Sequence, residues 1–253
     1  MSTPAELVVR ALTPLPDVRP GTDLAGLLAT AAPGDLADGD VLVVAHKVVS
    51  KAEGRVRRLD EIEPGERALA LAREHDKNPR LVQAVLDESA EVLRAHEGTL
   101  ICETHHGFVC ANAGVDQSNA SGEGELVLLP ADPDGSARRL RSALEAARGV
   151  RPAVVVADSF GRAWRLGQVD VALGVAGLTP LDAWARRPDA YGRTLNVTSI
   201  AVADAVAAAA DLARAKDALR PLVLVRGLER FVSAADGPGA AALRRPREQD
   251  LFR

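Results

Sequence analysis

The apolar positions of the chain fall into short continuous runs that alternate with stretches of helical spacing. Residues 41–45 and 153–157 are uninterrupted runs of five apolar residues, a pattern typical of strands that are buried on both faces. Further strands are predicted at 99–103, 107–111, 125–129, 169–176 and 222–226. Because polar residues follow the two apolar runs at once, we expect functional side chains at the carboxyl ends of these strands.

Capping residues and helical spacing predict the helices. Thr22 and Asp23 form a plausible N-cap after a loop at 15–21, and Gly149 is a suitable left-handed C-cap. The predicted helices begin at Leu24 and then cover 64–72, 79–93, 136–147 and 200–215. The expected fold class is therefore α/β or α+β, with mixed β-sheets and flanking helices. Since the chain has no repeat and no Gly/Ser linker, we expect one domain over 1–253.

Composition and charge exclude several classes of protein. With 47% apolar and 26% charged residues the chain is an ordinary globular protein, and only 3% of its residues are Phe, Trp or Tyr. The 31 Lys and Arg against 35 Asp and Glu give a net charge of −4, which argues against nucleic-acid binding and requires that any anionic ligand be bound locally. No charge-free window approaches the length of a membrane span and no leader is apparent, so we expect a cytoplasmic protein without a membrane partner.

The common site motifs are absent from the sequence. There is no G-x-x-x-x-G-K-[ST] and no G-x-G-x-x-G between a strand and a helix, so neither a P-loop nor a Rossmann fold is expected. Cys102 and Cys110 make neither a disulfide framework nor a metal set, and we expect them to be reduced and buried. His105 and His106 lack a spaced third ligand, which favours a strand and turn over a metal site.

Two polar clusters follow predicted strands in the first half of the chain. In the cluster at 46–54, Lys51 can reach a phosphate as a point charge, although a solvated surface lysine is the alternative. The cluster at 112–119 combines small residues with Asp116 and several amides, which allows close approach of a ligand to the backbone. An Asx-rich turn that caps a helix is the alternative for this second cluster.

The third cluster, at 158–168, is the most unusual stretch of the chain. Asp158 can hold a hard cation, and Arg162 and Arg165 can neutralise anionic oxygens through their planar guanidinium groups. Gln168 is a further candidate for substrate contact. The alternative is that Asp158 and Ser159 only cap a turn and that both arginines are solvated.

Read together, these clusters resemble the coenzyme F420-0:L-glutamate ligase family, also called F420:gamma-glutamyl ligases. The resemblance extends from about residue 7 to the C-terminus. The segments that carry it are V-V-S-K-A-E-G (48–54), N-P-R-L-V (78–82), G-F-V-C-A-N-A-G-V-D-Q-S-N (107–119), D-S-F-G-R-A-W-R-L-G-Q (158–168), V-R-G-L (225–228) and R-E-Q-D-L-F-R (247–253).

The resemblance implies a GTP-dependent ligase with the F420 ligase-like fold. Such an enzyme adds L-glutamate to the phospholactyl carboxylate of the precursor F420-0, or of its dehydro form, and then adds γ-linked glutamates. The implied intermediate is an acyl phosphate, and the implied cofactors are two divalent cations, Mg or Mn, assisted by monovalent K. A nucleotide-binding or deazaflavin-binding module without turnover, which needs a nitroreductase-like partner, is the alternative.

The resemblance also implies roles for individual residues. Asp116 and Asp158 match ligands of the first metal, and Ser159 matches a ligand of the second. The positions that match nucleotide contacts are Leu15, Pro16, Asp17, Val18, His46, Lys51 and Asn119. The segment 213–219 departs from the family pattern, which leaves open whether Lys216 or Asp217 contributes there. The family resemblance further implies a homodimer, and the chain is expected to be either a stand-alone ligase or one half of a two-domain enzyme with a nitroreductase-like domain.

Overall fold

The computed structural model describes residues 6–117, 122, 124–215 and 217–252. Its strands are β1 Val8–Ala11, β2 Val41–Ala45, β3 Val56–Arg58, β4 Ser89–His96, β5 Thr99–Thr104, β6 Val109–Ala111, β7 Glu125–Val127, β8 Ala153–Arg162, β9 Arg165–Ala176, β10 Leu181–Ala183, β11 Ser199–Ala201 and β12 Leu222–Arg226. Its helices are α1 Leu24–Ala31, α2 His46–Ala52, α3 Glu66–Glu74, α4 Pro79–Asp87, α5 Pro133–Arg148 and α6 Val202–Ala213. The prediction of mixed sheets with flanking helices is confirmed.

The largest sheet has the strand order β1-β12-β2-β8-β9. The pairing of β2 with β8 is parallel, and the other pairings in this sheet are antiparallel. The parallel register sets Ala45 opposite Ala157, so both strands point their carboxyl ends in the same direction. As a result, the residues that follow Ala45 and Ala157 along the chain lie close together.

The main sheet is buried on both faces, which explains the continuous apolar runs of β2 and β8. On β2, Leu42 and Val44 face a cluster that includes α1 and α5, whereas Val41 and Val43 face a cluster that includes α6. Strand residues alternate between faces, so a strand covered on both sides must be apolar at every position. Small aliphatic side chains fill both layers, in agreement with the low aromatic content.

A second, smaller sheet of the order β4-β5-β6 packs with α3 and α4 around its own hydrophobic cluster. Cys102 and Cys110 are register partners in β5 and β6, and both are buried free thiols, as predicted. Burial raises the pKa of Cys102, and burial together with the charge of Asp158 raises the pKa of Cys110 to about 12. His105 and His106 lie in the turn between these strands, also as predicted.

The helix predicted to continue to Leu93 is wrong beyond Asp87. The chain leaves α4 at Glu88 and forms β4, which pairs with β5. Glu97 and Gly98 have φ angles of 44° and 77° and join the two strands in a two-residue turn. Turns of this kind have the twist of a tight antiparallel hairpin, so pairing with β5 outweighed the helical spacing of the apolar residues.

Strand β8 is longer than predicted. The chain does not leave the sheet after Ala157 but continues to Arg162, turns, and returns as β9 from Arg165. Asp158 and Ser159 are therefore strand residues and do not cap a turn. Residues 161–168 are all exposed, so this hairpin projects beyond the covered part of the sheet.

Among the described residues, no helix is both long enough and apolar enough to cross a bilayer.

Gly174 on β9 provides a test of how tightly α5 packs on the sheet. A Cβ atom at this position would overlap the carbonyl group of Pro133 at the start of α5. We expect Gly174→Ala to lower the free energy of unfolding by about 1–3 kcal/mol, as overpacked sites do. The matched control is Gly34→Ala, where a Cβ meets nothing within 4 Å. Equal stability of both variants in urea unfolding would contradict this packing.

Candidate functional site

At the centre of the site, the residue that directly follows β2 contacts the middle of β8. His46 begins α2 directly after β2, and its side chain is 1% exposed. Its Nε2 lies 3.2 Å from Oδ1 of Asp158, and its Nδ1 lies 3.4 Å from Oγ of Ser50. The imidazole thus contacts a side chain from each ring nitrogen, one of them the Asp158 carboxylate.

Asp158 carries its charge in a largely buried position. Burial alone would raise its pKa, but the charge and hydrogen bond of His46 oppose this, as do the Ser159 backbone N–H and the charge of Lys47. The balance holds the pKa of Asp158 below its ordinary value of 3.8. The carboxylate is therefore available as an anionic oxygen ligand at neutral pH.

Helix α2 also carries the two lysines of the site. Lys47 and Lys51 are four residues apart, so they lie on the same side of the helix, and both line the cavity described below. Nζ of Lys47 lies 2.7 Å from Oδ2 of Asp116. The ion pair joins the main sheet to the segment that carries Asp116.

An unusual backbone turn positions Asp116. Asn112, Ala113 and Gly114 have successive φ angles of 51°, 52° and 72°, in the left-handed region. A Cβ at Gly114 would lie 2.7 Å from Cγ of Leu129, so the position also needs the absence of a side chain. Asp116 then exchanges backbone hydrogen bonds of 3.0 and 2.8 Å with Val127. In the described residues this segment is a left-handed turn and caps no helix.

A second buried acid lies opposite Ser159. Asp170 on β9 is the register partner of Ser159 on β8, and the Ser159 hydroxyl donates to its carboxylate at 2.6 Å. The guanidinium of Arg214, which follows α6, donates to the other carboxylate oxygen. Ser159, Asp170 and Arg214 all belong to the wall of the same cavity.

The cavity has a volume of about 280 Å³ and lies at the carboxyl end of β2, beside the middle of β8. Acidic and basic side chains both line it, among walls that are mainly apolar. Its lining comprises Leu15, Pro16, Asp17, Val18, Ala45, His46, Lys47, Val48, Lys51, Ala157, Asp158, Ser159, Asp170, Asp211, Arg214, Ala215, Leu219, Arg220 and Pro221. A site of this composition can bind an anionic ligand together with a cation.

Comparison with known proteins identifies the family of this site. Residues 13–227 match the family model described as F420-0:Gamma-glutamyl ligase. A coenzyme F420:L-glutamate ligase of Methanothermobacter thermautotrophicus is 46% identical over 94% of this chain and 96% of the relative. Those of Methanopyrus kandleri and Archaeoglobus fulgidus are 44% and 43% identical, over 93% and 94% of this chain and 93% of each relative. The chain belongs to the F420-0:gamma-glutamyl ligase family.

The structure brings together most of the residues that the resemblance to F420-0:gamma-glutamyl ligases had singled out. The cavity is lined by the four residues of the loop Leu15, Pro16, Asp17 and Val18, and by His46, Lys51, Asp158 and Ser159. Asp116 is linked to this cavity through Lys47. Asn119 and Lys216 lie outside the described residues.

Three predicted contact residues lie elsewhere. Arg162, Arg165 and Gln168 are exposed residues of the β8–β9 hairpin and do not line the cavity of this chain. Arg162 donates instead to the backbone carbonyl of Leu166, across the hairpin tip. Their role as anion or substrate contacts stays a prediction.

Sequence reasoning missed several residues of the site. Lys47, Asp170, Asp211, Arg214 and Arg220 line the cavity but had no role in the prediction. Asp170 could not be placed from the turn alone. A regular hairpin with its turn at 163–164 pairs Ser159 with Gln168, and the register shift between Gly161 and Arg162 brings Asp170 opposite Ser159 instead. Arg214 could not be found either, since only the packing of α6 brings it to β9.

The side chains present fit a hard divalent cation by their chemistry. Asp116 and Asp158 supply carboxylate oxygens and Ser159 supplies a hydroxyl, and Mg²⁺ and Mn²⁺ prefer such oxygen ligands. In this arrangement the charges of the two acids are met by Lys47 and His46. Within the described residues, no group of three or more His, Cys, Asp or Glu side chains is arranged to hold a metal.

The lowered pKa of Asp158 predicts an acid-dependent contribution to stability. The folded carboxyl stays charged to lower pH than the unfolded one, so its contribution is complete above 3.8 and is lost as the pH falls through the folded pKa. The difference in free energy of unfolding between wild type and Asp158→Asn should therefore be larger at about pH 6 than at about pH 3. Chemical unfolding at both values measures this, and a difference that widens on acidification would exclude the assignment.

Proposed function

We propose that the chain catalyses the GTP-dependent addition of L-glutamate to the phospholactyl carboxylate of F420-0, or of its dehydro form, followed by γ-linked additions. Membership of the family and the names of its relatives support the ligase reaction and its substrates. The observation that carries the rest is the cavity, which Lys47 and Lys51 line together with Asp158 and Ser159 beside the carboxyl end of β2. Cations next to carboxylates are what a bound phosphate and its metal ion require.

The proposed chemistry overcomes the low reactivity of a carboxylate. A carboxylate oxygen of the precursor attacks the γ-phosphorus of GTP, and GDP leaves to give an acyl phosphate. The amine of L-glutamate then attacks the acyl carbon, phosphate leaves, and the amine proton is released. Lys47, Lys51 and Arg214 lower the repulsion between the anionic reactants, since each places a positive charge at the cavity wall.

The proposed ligands for two divalent cations, Mg²⁺ or Mn²⁺, are Asp116, Asp158 and Ser159. A monovalent cation, K⁺, is proposed to assist. When bound, the divalent cations neutralise phosphate oxygens and align the reactants. The buried imidazole of His46 keeps the Asp158 carboxylate in place through the contact of 3.2 Å. The loop at 15–18 closes the cavity on the side of Leu219, whose carbonyl accepts from the Leu15 N–H at 3.2 Å.

Replacement of Asp158 tests the proposal directly. Asp158→Asn keeps the shape of the side chain but removes its charge, so GDP release with F420-0, L-glutamate, GTP and Mn²⁺ should fall by orders of magnitude. The matched control is Asp40→Asn, which removes a buried, arginine-paired carboxylate that does not line the cavity.

Near-normal turnover of Asp158→Asn would refute the metal role of this residue. Tight GTP binding by the wild-type protein, without any GDP release, would favour the alternative of a binding module that needs a nitroreductase-like partner. Calorimetry and GDP release, measured on the same preparation, separate these two outcomes.

A homodimer is the proposed assembly. The β8–β9 hairpin exposes Trp164 and Leu166 to 80% and 96%, and the segment before β11 exposes Tyr191 and Val197 to 92% and 91%. Trp164 and Leu166 lie two residues apart on one hairpin, and exposed apolar side chains that cluster usually mark an interaction surface. A second copy over the hairpin would also give Arg162, Arg165 and Gln168 a partner surface.

The dimer prediction has a matched pair of variants. Leu166→Asp places a charge on the hairpin and should shift the protein to monomer, because a buried unpaired charge destabilises an interface. Leu212→Asp makes the same change at a 91% exposed leucine on α6 and should leave the molar mass unchanged. Light scattering after gel filtration measures both, and a wild-type monomer would rule out the proposed assembly.

A further inference from the structure

Asp170 is a buried acid at the cavity that none of the proposed steps uses. It is 2% exposed, and it lies in the covered part of β9 rather than in the projecting part of the hairpin. Its two carboxylate oxygens contact side chains from two different elements, Ser159 on β8 and Arg214 after α6. The carboxylate therefore connects two walls of the cavity.

The position of Asp170 follows from the strand register. A bulge between Val156 and Ala157 shifts the pairing of β8 with β9, and beyond it Ser159 lies directly opposite Asp170. Directly opposed side chains of an antiparallel pair lie on the same face, within reach of each other. The contact of 2.6 Å between the Ser159 hydroxyl and Asp170 is thus built into the sheet.

Arg214 depends more strongly on Asp170 than Ser159 does. The Arg214 side chain is only 10% exposed, yet it carries a permanent positive charge. A buried guanidinium without a counter-charge is strongly unfavourable, and Asp170 supplies that charge through one nitrogen of the group. Because a guanidinium is a planar fork of five N–H donors, fixing one nitrogen orients the others. Arg214 lines the cavity, so the oriented donors belong to its wall.

We propose that Asp170 is a positioning residue that holds Arg214 so that its guanidinium binds a phosphate oxygen of a bound substrate. The inference rests on the proposed function, which supplies two phosphate sources, the nucleotide and the phosphodiester of the precursor. The shared chemistry is a phosphate oxygen that accepts charge-assisted hydrogen bonds from a fixed guanidinium. Asp170 also holds the Ser159 hydroxyl in the same cavity.

The chain contains a matched pair that serves as a control. Asp40 is 1% exposed and accepts from Nε and Nη2 of Arg226 at 2.7 and 2.8 Å. It precedes β2 at the opposite end of the sheet, and neither Asp40 nor Arg226 lines the cavity. Asp40→Asn therefore reports the effect of losing a buried, arginine-paired carboxylate without any effect on the site.

The test is a double-mutant cycle in ligand affinity, with all proteins compared in thermal unfolding. Wild type, Asp170→Asn, Arg214→Gln, the double variant and Asp40→Asn are titrated with GDP, and separately with F420-0, in EDTA so that no metal contributes. We expect Asp170→Asn and Arg214→Gln each to weaken one of these ligands by about tenfold or more, since each removes a charged hydrogen bond. The double variant should be no weaker than Arg214→Gln alone, because Asp170 acts through Arg214. Asp40→Asn should bind like wild type.

The ligand whose binding is weakened identifies the phosphate source. Weaker GDP binding indicates the nucleotide, and weaker F420-0 binding indicates the precursor. Unchanged affinity for both ligands in Asp170→Asn would overturn the proposal, as would additive effects in the cycle. If Asp170→Asn does not fold, Arg214→Gln and Arg214→Lys decide, because a single ammonium cannot replace the fork and should also bind at least several-fold more weakly. Wild-type affinity in Arg214→Lys and Arg214→Gln would then overturn it.

Turnover of the wild-type protein is measured alongside the titrations. Absence of GDP release in the wild type would count against the ligase reaction, whereas the affinity cycle would still report on Asp170 and Arg214. A steady-state assay adds a second readout, since replacing a residue that positions a phosphate contact should raise the KM for that substrate. Replacing a residue with only a structural role would lower the melting temperature of the protein and leave KM and affinity unchanged.

Discussion

The parallel pairing of β2 with β8 determines where everything else in the site can lie. The register of Ala45 with Ala157 brings His46 next to Asp158, and no other strand pair of the main sheet is parallel. The buried contact between these two side chains then fixes α2, and with it the two lysines that line the cavity. A change of one residue in the register would move Asp158 to the other face of the sheet.

Charge pairing is the second constraint on the site. Three acids at or beside the cavity meet a cationic partner from a different element, His46 for Asp158, Lys47 for Asp116 and Arg214 for Asp170. Burial makes an unpaired charge costly, so these pairs stabilise the folded site. They also allow a chain with a net charge of −4 to bind phosphates locally. A bound phosphate can pair with the cation of such a pair, and its metal ion can pair with the acid.

Much of the fold could be predicted from local patterns. The buried strands, the Asp23 cap of α1 and the Gly149 end of α5 follow from residues close in sequence. The pairing of β4 with β5 and the length of the β8–β9 hairpin could not, because sheet pairing outweighs local propensity. For the same reason the prediction found Asp158 and Ser159 but not Asp170 and Arg214, which reach the cavity only through strand register and helix packing.

The central claim is that the protein binds its substrates in this cavity and catalyses the GTP-dependent ligation of glutamate to a deazaflavin precursor. Mass spectrometry of F420-0 after incubation with the protein, GTP, Mn²⁺ and L-glutamate tests it most directly. Successive mass increments of one glutamate residue, absent when GTP is omitted, are the predicted result. An unchanged precursor mass under conditions in which the protein is folded and binds GTP would contradict the account.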